Sequence, residues 1–92
     1  MTAVIAVQAM PVAEGWECVV QLGGSASASR HTVRIRSTEL ERLGRQGEEP
    51  DQFVTRVFEF LLAREPASNI LKKFELADVS RYFPEFEREI RV

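Results

Sequence analysis

The period of the hydrophobic pattern changes near residue 37. Before it, apolar residues alternate with polar ones. After it, they recur at helical spacing. Trp16, Cys18, Val20 and Leu22 fall on one side of an extended segment, with Glu17, Val19 and Gln21 on the other. His31, Val33 and Ile35 then alternate with Arg30, Thr32, Arg34 and Arg36. The spacing predicts strands over Trp16–Leu22 and Arg30–Arg36, each with one face on a core and one in water, as in an antiparallel sheet. An earlier strand over Ala3–Ala9 is apolar on both faces. Met10–Gly15, with Pro11 and Gly15, reads as a connection, and Gly23–Ser29 as a mobile hairpin loop.

In the second half, Ser37 or Thr38 reads as the N-cap of a short helix, Glu39–Leu43; Thr38 with Glu41 fits a capping box, and Gly44 ends the helix in the left-handed conformation. Pro50 suits the first turn of the main helix, with acidic Glu48, Glu49 and Asp51 at its positive end. Phe53, Val54, Val57, Phe58, Phe60, Leu61 and Leu62 form its apolar arc. Gln52, Thr55, Arg56 and Glu59 form its wet side, and Pro66 prevents its continuation. Ser68 caps a helical turn over Asn69–Phe74, Leu76–Tyr82 is a further short helix, and Pro84 opens a last one through Ile90. The expected fold is a single α+β domain over residues 1–92. A three-stranded antiparallel sheet in the N-terminal half is packed on one face by the helices of the C-terminal half.

Phe58-Glu59-Phe60-Leu61-Leu62-Ala63-Arg64-Glu65-Pro66, Ile70-Leu71, Phe74-Glu75-Leu76 and Arg81-Tyr82-Phe83-Pro84-Glu85-Phe86-Glu87 resemble a group of short uncharacterised bacterial proteins. In that group a strand-rich part precedes this helical signature. The likeness covers roughly the last forty residues and implies a bacterial, cytoplasmic source. It transfers no catalytic residue, and its positions, mostly aromatic, aliphatic and capping residues, report a packed fold more than a site.

Composition narrows the function classes. A hydrophobic fraction of 45% and a charged fraction of 28% are those of a folded globular chain. A net charge of −2 argues against a general nucleic-acid or anionic-membrane binder, without excluding a local basic patch. The single cysteine, Cys18, can form neither an intrachain disulfide nor a cysteine-rich zinc site. The apolar start, Met1–Gln8, is too short for a signal peptide or membrane span. The chain therefore reads as cytoplasmic and mature from Met1.

The chemistry-bearing residues are few. His31 is the only histidine. It reads as a strand residue with a hydrogen-bond partner before it reads as a general base, and Cys18 beside it reads as buried and inert. Glu48, Glu49, Asp51, Glu85, Glu87 and Glu89 read as helix-end and solvated charges ahead of an acid–base pair or cation site. Gly23-Gly24 lacks the Lys-Ser/Thr and the following helix of a phosphate loop. No cofactor or metal is implied.

Three candidate surfaces remain. Arg30, Arg34 and Arg36 share a strand face that could meet a phosphate backbone. Arg81 and Tyr82, in Arg81-Tyr82-Phe83-Pro84, make a partner-docking knob. The first strand, apolar on both faces, invites a second chain or a symmetric dimer. The leading expectation is a non-enzymatic protein-interaction or binding module. A weak nucleic-acid or phosphate binder comes second, and an enzyme around His31 third.

Overall fold

A computed structural model describes residues 4–23 and 28–91. Met1, Thr2, Ala3, Val92 and residues 24–27, which include most of the expected Gly-Ser-Ala loop, lie outside them. The described elements are β1 (Ile5–Val12), β2 (Gly15–Leu22), β3 (Ser29–Arg36), α1 (Ser37–Leu43), α2 (Pro50–Leu62), a 3-10 turn (Ala67–Asn69), β4 (Lys73–Glu75), α3 (Leu76–Tyr82) and α4 (Phe86–Ile90).

β1, β2 and β3 form the expected antiparallel meander, but the sheet has a fourth strand. β4 pairs parallel to β3, giving the order β1-β2-β3-β4. The helical turn expected over Asn69–Phe74 is replaced by the 3-10 turn and this strand. Three residues are too few to show a period, and Phe74 packs under the sheet while Lys73 and Glu75 stay exposed.

The first strand also runs three residues past its expected end, through Met10, Pro11 and Val12. The connection shrinks to Ala13-Glu14, between the closing pair Val12 and Gly15. Pro11 is tolerated because β1 is an edge strand. Gly23 N–H donates to Val4 O (3.0 Å), so residues of even number in β1 bond β2, and the missing N–H of Pro11 falls on the open side.

The covered face of the sheet carries Cys18, Val20, Leu22, His31, Val33 and Ile35, all buried. Phe53, Val54, Val57, Phe58, Phe60 and Leu61 of α2 are buried, as their spacing predicts, while Leu62 is half-buried. Phe58 sits between His31 and Phe74, with ring centroids 5.7 and 6.0 Å away. Phe60 meets Phe83 and Phe86 edge-on at 5.8 and 5.0 Å.

Helix ends differ from expectation in detail. α1 begins at Ser37, and Glu39 accepts the Arg36 N–H at 2.8 Å in place of a Thr38–Glu41 box. Gly44 is extended (φ −78°, ψ 167°), not left-handed. It is needed for room, since a Cβ there would lie 2.6 Å from Leu40 O. Pro50 opens α2, and Gln52 accepts the Glu49 N–H at 3.0 Å. α4 starts at Phe86 rather than at Pro84, which lies in the preceding turn.

Arg56, expected on the wet side of α2, is instead mostly covered. Its Nε and Nη2 each donate to Glu48 at 2.7 Å, and its Nη1 donates to Ile90 O at 2.6 Å. The two side chains are only 15% and 7% exposed. One guanidinium therefore ties the α1–α2 link and the end of α4 to the middle of α2.

The hydrogen bonds from Arg56 hold the Glu48 carboxyl below its ordinary value of 4.5, against the opposing effect of burial. A carboxyl depressed in the fold binds its proton more readily when unfolded. Its stabilisation is thus complete above the ordinary value and is lost as pH falls through the folded one. Glu48→Gln leaves Arg56 without its counter-charge and should cost about 1–3 kcal/mol at neutral pH. Its denaturation midpoint should also fall less steeply than that of the parent below about pH 5. Parallel slopes in urea titrations at stepped pH would show that Glu48 carries no such linkage.

Gly15 lies where β3 crosses closest to the β1–β2 turn. A Cβ there would stand 2.7 Å from Arg36 Cα, and closer still to Ile35 O. Gly47 has φ +76° but open space around it. Gly47→Ala should therefore cost only the backbone strain, about 1 kcal/mol. Gly15→Ala should cost clearly more, because two backbones must separate. Equal losses in thermal unfolding would contradict the close approach.

Candidate functional site

The open face of the sheet collects one candidate group. Arg30, Thr32, Arg34 and Arg36 project from β3 beside Glu17, Val19 and Gln21 of β2, with Lys73 and Glu75 of β4 on the far side. Arg34 is paired across the strands: Nη2 donates to Glu17 Oε1 at 3.0 Å, with half of the arginine side chain exposed. Such an exposed pair contributes less than about 1 kcal/mol. Glu75 is the cross-strand partner of Arg34 on the other side. The basic stripe is thus interrupted by two carboxylates. Among the described residues this face carries no aromatic side chain, whereas single-strand binders set stacking rings beside their cations.

His31 is fully buried. Its Nδ1 donates to Leu71 O at 2.8 Å, and Nε2 lies 3.0 Å from Ser29 Oγ. With both ring nitrogens engaged and Phe58 against the ring, His31 is a packing residue with no open path for a substrate. Cys18 is equally buried, and burial, helped by the carboxylates of Asp51 and Glu17, pushes its thiol up to about 11.

The acidic residues of the last helix are held by arginines. Arg64 lies over the Phe60 ring, 3.7 Å from its centroid, and donates to Glu85 (3.1 Å) and Glu89 (2.7 Å). Arg42 and Ser80 donate to Glu87 at 2.7 and 3.2 Å. These bonds keep the Glu87 carboxyl below its ordinary range, the Arg42 bond contributing most. Among the described residues, no group of three or more histidine, cysteine or acidic side chains is arranged to hold a metal ion.

At the other candidate, Tyr82 is 72% exposed, and Arg81 is exposed and paired with Asp78. Phe83 turns inward onto Phe60. Tyr82 and Leu71 stand beside a groove of about 430 Å³ between the end of α2 and α3, where Leu61, Phe74 and Val79 form the apolar floor and Glu65 and Asp78 add charge. No element fills it among the described residues.

The first strand is the least usual surface. β1 is an eight-residue edge that, together with Val4 before it, carries no charged side chain. Val4, Met10 and Val12 are 59%, 49% and 40% exposed on the open face. Ile5, Val7 and Ala9 face the core, half-buried. Their N–H groups, by the same parity that places Pro11, point away from β2. The opposite edge, β4, is three residues long and bears Lys73 and Glu75. The apolar character of β1 was legible in the sequence. The direction of its free hydrogen-bonding groups needed the register.

No helix in the described residues is long and apolar enough to cross a membrane. No family model, curated protein or solved structure matches the chain, so the reading of its surfaces rests on its own residues.

His31→Leu should remove the donor to Leu71 O and leave a covered carbonyl unpaired, costing about 1–3 kcal/mol. The Thr32 amide, which donates to Lys72 O at 2.7 Å, should then exchange faster relative to Val33, which bonds within the β2–β3 ladder. Unchanged relative protection in hydrogen exchange would show that the histidine does not hold this segment.

Proposed function

We propose that this chain is a non-enzymatic protein-interaction module, cytoplasmic and bacterial, that receives an extended chain along β1. The observation that carries the reading is the open, uncharged eight-residue edge. Soluble proteins ordinarily protect such an edge with charge, a bulge, a short strand or a cover. Here only Pro11, near one end, interrupts the free donors. Main-chain hydrogen bonds supply affinity in strand addition, and alternate side chains supply selectivity. The half-buried Ile5, Val7 and Ala9 leave room for an added strand to extend the core. The likeness of the C-terminal half to short bacterial proteins supports the source and adds no site.

The test pans a random dodecapeptide phage library on the folded chain. Peptides enriched in alternating β-branched residues should emerge, and should bind an Ala9→Pro variant at least about tenfold more weakly. That substitution removes an outward N–H while sparing the β1–β2 ladder. Peptides that bind both proteins equally, or no enrichment at all, would overturn the edge as the binding site.

A further inference from the structure

We propose that the strand received by β1 is the β1 of a second copy, paired antiparallel about a twofold axis through Val7. This rests on the strand-addition reading above and names its partner. The edge of β1 is complementary to itself. The outward donors of β1 are the N–H groups of Ile5, Val7 and Ala9, and each of these residues also directs its C=O outward. Antiparallel pairing about Val7 sets Ile5 opposite Ala9 of the second copy, Val7 opposite Val7, and Ala9 opposite Ile5. Every one of those donors then meets an acceptor, with six ladder bonds across the axis.

Pro11 excludes the registers shifted towards it. Moving the axis to Ala9 would place Pro11, which has no N–H, opposite Val7 and waste a donor–acceptor pair at each end. About Val7, Pro11 falls outside the ladder.

Side chains agree on both faces. On the open face, Val4 comes opposite Met10 of the second copy, so two of the most exposed large apolar side chains cover each other. On the covered face, Ile5 meets Ala9 of the second copy and Val7 meets Val7, and the two cores join. The described part of the strand has no charge, so self-pairing brings no like charges into register.

Sedimentation equilibrium from micromolar to millimolar concentration tests the state. A monomer–dimer equilibrium is expected, in the weak range of small interfaces. Ala9→Pro should weaken it by roughly tenfold or more. Ala6→Lys with Gln8→Lys, which touches only exposed positions, places lysines opposite one another across the axis and should do the same if the proline variant fails to fold. The register is read by oxidation. A chain with Ala6→Cys should cross-link to one with Gln8→Cys faster than either does to itself, since positions 6 and 8 form a close, non-hydrogen-bonded pair. A monomer at every concentration overturns the dimer, as does a dimer indifferent to both variants or one that cross-links Ala6→Cys chiefly to itself. If the chain stays monomeric while library peptides bind the parent and not Ala9→Pro, strand addition stands and only the second copy is wrong. If peptides also fail, both are wrong.

Discussion

Two consecutive residues of β3 hold the second half of the molecule to the first. Thr32 donates its backbone N–H to Lys72 O, and His31 donates Nδ1–H to Leu71 O. These bonds seat the returning chain beside β3, and everything beyond follows from them. Phe74 is brought under the sheet against Phe58, α3 departs directly from the end of β4, and α4 lands on Phe60 through Phe86. A buried histidine suits this task. It reaches a carbonyl that the ladder itself cannot serve, and its second nitrogen is satisfied by Ser29 at the start of the same strand.

The remaining cohesion of the C-terminal region comes from arginines acting as struts. α4 has five residues, too few to be helical alone. It is fixed by Arg42, Arg56 and Arg64, each reaching it from an earlier part of the chain. Carboxylates that would suggest chemistry in isolation are thereby occupied with architecture. The same economy applies to Cys18, whose buried thiol is held far from the reactive thiolate form.

Much of this was legible in the residues. The alternation of Trp16–Leu22 and Arg30–Arg36 identified the two central strands and their inner faces, and the arc from Phe53 to Leu61 identified the main helix. Lys73-Phe74-Glu75 was not legible, because a three-residue parallel strand is defined by its distant partner, Thr32–Arg34, and has no period of its own. Met10-Pro11-Val12 was mistaken for a connection because proline commonly marks turns, and only the strand's position at the edge makes it harmless. Arg56 was assigned to solvent by helical spacing, which cannot foresee that Glu48 and Ile90 O close over it. Of the candidate surfaces, the arginine stripe lies on the open sheet face, Arg81 and Tyr82 end α3, and the apolar first strand is a sheet edge that runs on to Val12. Which of them offers unsatisfied hydrogen-bonding groups depended on pairing parity.

The two borders of the sheet are unequal, and the short one sets a limit on growth. β4 spans three residues, carries charge, and passes at once into α3. A sheet that can be extended on one side only has a terminus built into its design. When two such sheets join along β1, both extensible borders are consumed and the remaining ones are blunt. The product is finite, so an exposed apolar strand that would otherwise template a fibre can instead end in a closed pair.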